Sequence, residues 1–448
     1  MTGISRIINE DYHIYKDVLT NYCRPKTDVD AIFKDFNTDQ IHTKMNPLSR
    51  SKIIFDIIDT FVPIQPVDIV HWCDTRFYDF NLANKVDYYH IHNPIRVNEA
   101  KINHPADAKA NTKKHWFVNA HLHHDRTVCH QIKLYGHPFN TKNLTDSQKE
   151  SRLQNWFQRH PTEMLVRSHI SKLDKLKVRP VYNAPFFYLR LEVMLFWPML
   201  AQLRKPESQL LYGYETIRGG MCKLDEIATQ FSSFICLDWS RFDHNAPFSI
   251  IDHLFEYYLP SKILVDHGYA STTKYSKHSG NLTTTATKTT TFLDAFPHKV
   301  SNLLKFLHKW YKQMVYITPD GYAYQRTRSG VPSGILCTQF FDSLINYYIV
   351  IDALLTYGLT PCEIKAIKMF VLGDDNIIML PYELSKTQDI FNFISNFSLT
   401  RWNMIVNVDK SKCTAYRHQI DVLGYTNKFG SPSRDVDKLV AQIAFPER

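Results

Sequence analysis

Residues 369–380 read Met-Phe-Val-Leu-Gly-Asp-Asp-Asn-Ile-Ile-Met-Leu, two apolar runs around the polar centre Gly373-Asp374-Asp375-Asn376. The runs are rich in Val, Ile and Leu and too short for helices, so they read as two buried strands. Gly373 accepts either sign of φ, and Asp and Asn tolerate turn geometry, so a tight hairpin fits. Such a hairpin holds two adjacent carboxylates between buried strands. Like charges this close raise one another's pKa, and desolvation adds to the cost, unless positive charge sits opposite. A hard divalent cation with oxygen ligands is the simplest counter-charge. A polar turn facing water gives the same local pattern, so the rest of the chain has to decide.

A chain of 448 residues exceeds the usual size of a single core, and two or three subdomains are expected. Its hydrophobic content of 44% excludes a disordered chain. The net charge of +9 is unevenly placed: residues 101–179 carry 15 Lys and Arg against 6 Asp and Glu, which accounts for the whole excess. A basic segment against a near-neutral remainder suits a groove that tracks phosphates, although a solvated surface has the same composition. The eight cysteines are scattered, with no C-x-x-C pair, as expected of free thiols in a reducing compartment. No signal-peptide core follows Met1, and the best apolar run, 193–201, is interrupted by Pro198, so a soluble cytosolic protein is expected.

Along the chain, residues 1–100 hold no motif. The His-rich run 115–137 includes His121, His123 and His124, but has no second cluster at helical or knuckle spacing. It reads as surface-facing or RNA-facing histidine rather than a zinc site. Lys175, Lys177 and Arg179 alternate with Leu176 and Val178, a period-2 pattern that sets three cations on one strand face with the apolar side anchored. Such a row suits a triphosphate or a nucleic-acid backbone, and an amphipathic edge strand gives the same pattern. Pro180 confines the strand to an edge or an end. Residues 186–200 read as a core helix that Pro198 ends or kinks. Residues 232–239 read as a strand ending in Asp238, with Asp243 five positions on and a helix over 247–258. A carboxylate where a buried strand meets a loop is a common metal ligand, while an N-cap is the competing role, more so for Asp243. The Thr-rich stretch 271–291 reads as an extended surface insertion. Ser329-Gly-Val-Pro-Ser333-Gly then forms a small-residue loop opening into an apolar helix over about 335–355, a possible phosphate cradle or a plain helix entry. Thr338 and Asp342 share a face of that helix by their i, i+4 spacing.

In order, these are a cationic strand, Asp238-x4-Asp243, Ser329-Gly-x-Pro-Ser333-Gly-x3-Thr338-x3-Asp342 and Gly373-Asp-Asp-Asn376. With this wording the chain resembles viral RNA-dependent RNA polymerases, and most of all those of partitiviruses, from about residue 172 to 434. The resemblance implies an α+β right-hand fold with fingers and an antiparallel-sheet palm. Residues 1–165 would be an N-terminal extension and part of the fingers, 166–230 fingers with the basic strand, and 231–261 palm. Residues 262–310 would be a fingers insertion, 311–426 palm again, and 427–448 the start of a thumb. A long helical thumb follows in the family, so a truncated or minimal thumb is expected here, and with it a fragment.

The resemblance also implies roles. Asp238 and Asp374, 136 positions apart (374 − 238), would hold two Mg²⁺ or Mn²⁺ ions, with Asp375 in support. Lys175, Lys177 and Arg179 would grip the incoming triphosphate. Ser333, Thr338, Asp342 and Asp243 would sense the ribose. Asp342, where many positive-strand relatives carry Asn, agrees with the partitivirus branch. Lys410, ahead of Lys412, would protonate pyrophosphate, and Val422-Leu-Gly-Tyr425 matches the turn that grips the primer strand. The expected partners are RNA template and product duplex, NTPs and a viral capsid protein, without a membrane, in the virion interior or host cytoplasm. The competing functions are a reverse transcriptase and a catalytically silent RNA-binding or capsid-associated protein. The intact acids at 238, 374 and 375 speak against the silent form.

Overall fold

The computed structural model describes residues 3–25, 29–104, 112–174, 176, 178–265, 290–291 and 298–445. Lys175, Lys177 and nearly all of the stretch 271–291 lie outside the described residues. The strands that position the site are β1 (Thr162–Ser168), β2 (Val178–Asn183), β3 (Ser233–Leu237), β4 (Val315–Ile317), β5 (Ala323–Gln325), β6 (Lys368–Leu372), β7 (Asp375–Leu380) and β8 (Lys412–Thr414). The helices are α1 (Leu48–Phe61), α2 (Val118–Tyr135), α3 (Phe186–Leu200), α4 (His298–Gln313), α5 (Thr338–Tyr357), α6 (Leu384–Trp402) and α7 (Val436–Ala444).

One sheet runs β6-β7-β3-β8 and is antiparallel throughout. Every residue of β3 is buried, because the strand has a neighbour on each side and cover on both faces. Side chains divide between those faces with the strand period of two. Phe234, Cys236, Phe370, Ile377 and Met379 join a small cluster with Leu211, Met221, Leu224 and Val422. Ile235, Leu237, Met369, Val371, Ile378 and Leu380 face the main core. There α5 packs against β6, α1 and α6. An α5 that is apolar all round is buried over nearly its whole length, as such a helix must be.

The second sheet runs β5-β4-β1-β2, which leaves β2 at an edge, where Pro180 costs no ladder bond on its open side. Behind it α3 carries Pro198 in its last turn without breaking. The carbonyl of Met194, which Pro198 has no N–H to meet, instead accepts from the Val70 N–H at 2.8 Å. At the far end α7 packs on the N-terminal helices through Ala441, Val18 and Tyr22.

Three expectations are corrected. The row 175–179 is not one strand: Ser171–Lys172 pairs separately with Tyr22–Cys23, a turn follows at 173–174, Leu176 lies outside any strand, and β2 begins only at Val178. Leu176 is 58% exposed instead of anchored. The helix after the Ser333 loop begins at Thr338 rather than near 335, because Ser333 and Ile335 still form a bridge in the loop. The histidine run does not simply face outward, since His121 and Asp125 on α2 are buried.

Candidate active site

The β6-β7-β3-β8 sheet delivers the carboxylates through its register. β7 pairs with β3 from Leu380↔Ser233 to Asn376↔Leu237, and one further step reaches Asp375 on one strand and Asp238 on the other. Leu372 pairs with Asp375, so Gly373 and Asp374 form a two-residue loop between β6 and β7. Gly373 has φ 63° at the first central position, where a type II′ loop takes glycine.

The turn is braced from α5. The Ser343 hydroxyl accepts from the Gly373 N–H at 2.8 Å. The Asn346 amide donates to the carbonyls of Gly373 and Asp374 at 3.0 and 3.4 Å, and its Oδ1 accepts from Asn376 Nδ2 at 2.9 Å. Asn376 therefore anchors the turn from inside. Sequence reasoning missed Ser343 and Asn346, although a polar residue inside an apolar helix is a signal that a buried partner exists. On the other side, the Asp238 N–H donates to Ser411 Oγ at 3.0 Å and its carbonyl accepts from the Asn407 N–H at 2.8 Å. This seats Lys410 with Nζ 3.9 Å from Asp238 Oδ1. Lys412 instead pairs with Asp421.

A cavity of about 490 Å³ opens in front of the hairpin, lined by Arg179, Asp243, Ser333, Thr338, Asp342, Asp374 and Asp375, among others. Asp238 stands beside it, its side chain 43% exposed. The acids are poorly neutralised. Burial, then the charges of Asp374 and Asp238, push Asp375 up to about 7 against a hydrogen bond from the Leu423 backbone. Burial and Asp374 push Asp243 up to about 6, opposed by Arg179 and Arg326. Asp342 is buried beside Asp243 and Asp374, is held well above the usual carboxylate range, and its Oδ1 has no hydrogen-bond partner. Burial and the neighbouring Arg326, Arg241 and Arg179 hold His244 down to about 3, so it adds no positive charge near neutral pH. These are oxygen donors gathered in want of cations.

The Ser333 loop is fixed on three sides. The Tyr182 N–H of β2 donates to the Ser333 carbonyl at 3.1 Å. Gly334, at φ 113°, leaves no room for a Cβ, which would lie 2.3 Å from the Tyr182 carbonyl oxygen. The Thr338 hydroxyl already donates back to the loop, with Pro332 O at 2.8 Å and Ile335 O at 3.1 Å, so only its lone pairs face the cavity. Two further supports come from residues that the sequence did not single out. Glu192 on α3 accepts from the Leu336 N–H at 2.8 Å and from the Tyr311 hydroxyl. Gln40 Oε1 accepts from the N–H groups of Thr327, Arg328 and Ser329 at 3.1–3.2 Å, which gives the N-terminal segment a part in the site.

Residues 122–429 match the family described as viral RNA-dependent RNA polymerase. The RNA-directed RNA polymerase of Atkinsonella hypoxylon virus (isolate 2H) is 48% identical over 460 residues, covering all of this chain and 69% of that protein. That of White clover cryptic virus 1 (isolate Boccardo/2004) is 29% identical over 287 residues, covering 61% of this chain and 43% of that one. The Sicinivirus 3Dpol RNA dependent RNA polymerase shares the fold, with a TM-score of 0.59 over 92% of this chain and 76% of that chain at 13% identity. The fold, the gathered acids and these likenesses agree: the chain belongs to the viral RNA-dependent RNA polymerases, among the partitivirus-like members.

Proposed function

We propose that the chain extends RNA by nucleotidyl transfer with Asp238 and Asp374 as ligands of two divalent ions, Mg²⁺ or Mn²⁺, and Asp375 supporting them at the rim. The observation that carries this reading is the arrival of Asp238 and the Asp374-Asp375 turn at one end of adjacent antiparallel strands. The donor set fits such ions, being all oxygen and short of positive charge. When bound, the ions supply Lewis-acid charge at the phosphoryl oxygens and the primer hydroxyl.

The chain's own residues do the rest. Arg179, exposed on β2 and lining the cavity, grips the triphosphate, and Lys175 and Lys177 belong to the same basic segment. Asp342 Oδ1, buried and without a partner, is the acceptor that a 2′-hydroxyl would satisfy and a deoxyribose would leave orphaned. Ser333, Asp243 and the Thr338 lone pairs border the same space. Lys410, beside Asp238, holds a proton for the departing pyrophosphate. In this reading residues 231–261 and 311–426 are palm, 166–230 and 262–310 fingers, 1–165 an N-terminal extension with part of the fingers, and 427–448 the start of a thumb. The genome copied and transcribed is double-stranded RNA, within a virion of the capsid protein or in the host cytoplasm. Among the described residues no helix is long and apolar enough to cross a membrane.

The test is NTP incorporation on an RNA template by the wild type and by Asp374→Ala. Incorporation falls to background in the variant, and equal activity in the two would sink the metal assignment.

A further inference from the structure

We propose a second metal site, away from the palm acids, in which His90, His121 and Asp87 bind one zinc ion or a similar first-row divalent ion. One ligand atom from each of these residues lies within 4.8 Å of the others, and all three residues are buried. His90 lies on the short helix Tyr88–His92 and His121 on α2, with ring centroids 4.0 Å apart. Asp87 caps the short helix and accepts from the Phe186 N–H at the start of α3 at 3.1 Å. An ion here would therefore tie together three elements distant in sequence.

The hydrogen bonding points to the metal. His90 Nδ1 lies 2.8 Å from Asp87 Oδ1, and His121 Nδ1 lies 3.0 Å from Asp125 Oδ2. Asp125 fixes the His121 imidazole with the proton on Nδ1 and the Nε2 lone pair outward, the carboxylate–histidine–metal arrangement, while Asp87 Oδ1 and His90 Nδ1 stand at the separation of two ligands of one ion. His121 Nε2 is buried without a hydrogen-bond partner, in a side chain 0% exposed, and it faces Asp87. A buried polar atom left unpaired calls for an explanation, and a soft-to-borderline cation accepts such lone pairs where a proton donor is missing. Two imidazole nitrogens and one carboxylate oxygen form a zinc ligand set with a fourth position for water. His121 Nε2 already stands 4.0 Å from Asp87 Oδ2, so closure to zinc-bonding distances needs side-chain movements of only about 1 Å. The positive side chain of Lys114, which faces Asp87, must be tolerated at the edge.

The experiment uses the full chain without a histidine tag, in millimolar Mg²⁺ to satisfy the palm acids, after passage over a chelator of moderate affinity. Wild type and Asp374→Ala should each retain about one zinc per chain, His90→Gln and His121→Gln none. Asp125→Asn, which alters the partner of His121 and His124 but no ligand of the ion, should bind zinc about 10- to 100-fold more weakly. Cobalt(II) added to the metal-free wild type should give the visible absorption of a four- or five-coordinate nitrogen-ligated site, a readout that requires no variant to fold. Zinc retained equally by both Gln variants, or a wild type that holds no zinc and gives cobalt only its octahedral aquo spectrum, overturns the proposal.

Discussion

Asp87 and Asp125 beneath α3, and Asp243, Asp342 and Asp375 in the palm, are acids of one type shifted in opposite directions. Burial acts to raise all five. For Asp87 it is outweighed by the charge and hydrogen bond of His90, by His121 and by the Phe186 N–H, and the carboxyl falls far below its usual range. For Asp125 the hydrogen bonds of His121 and His124 do the same. In the palm the nearest neighbours are other carboxylates, and the acids remain high. Burial alone therefore does not set the direction in which an acid shifts; what stands opposite does. The first cluster sets imidazole and N–H groups against its acids, whereas the palm acids mostly face one another.

The sharpest break of that contrast is a pair of alanine variants read by urea unfolding. Asp87→Ala leaves His90 and the Phe186 N–H buried without their partner and should cost about 3–5 kcal/mol. Asp374→Ala relieves repulsion at an exposed turn, so stability should stay within about 0.5 kcal/mol of wild type or rise. Equal losses would abolish the distinction.

Glu192 tests whether hydrogen bonds alone can replace a counter-charge. Burial pushes its carboxyl from 4.5 to about 7 even though Tyr311 and the Leu336 and Cys337 backbone bond to it. Between these two values the unfolded chain has lost a proton that the folded chain keeps. Its contribution to stability is fully present below pH 4.5, falls as pH rises, and levels off above about 7. The full change is about 3 kcal/mol. Glu192→Gln should remove that slope from the unfolding free energy, and an unchanged slope would refute it.

Smaller effects follow. Asn346→Ala strips the hairpin of its donors to Gly373 and Asp374 and should cost about 2 kcal/mol, with a matching fall in turnover. Mg²⁺ at ten times its dissociation constant should stabilise the wild type by about 1.4 kcal/mol and Asp374→Asn far less, as read by melting.

What was legible in the sequence were the elements with a strong local pattern. The hairpin at Gly373, the strand running into Asp238 and the apolar helix after the Ser333 loop each show period and punctuation within a dozen residues. What was hidden were single polar residues whose partners are far along the chain. Asn346 meets Gly373, Glu192 meets Leu336, and Gln40 meets Ser329 across 289 positions. No local pattern marks such a pair, because only the tertiary fold brings its members together. His121 was misread for the same reason: its neighbour His90 lies thirty-one positions upstream on another helix (121 − 90). The basic row failed differently. Alternation over 175–179 suggested one strand, but Leu176 lies outside any strand and pairing begins only at Val178, and nothing in a period-2 pattern reports where pairing starts.

The contact between Gly334 and the Tyr182 carbonyl has a mechanical consequence. There is no space for even a methyl group between them, and a backbone hydrogen bond lies beside the contact, so the Ser333 loop and the strand that carries Arg179 meet backbone to backbone. In the function proposed above, a nucleotide held by Arg179 would therefore bear on the same backbone contact that supports the loop beside its sugar.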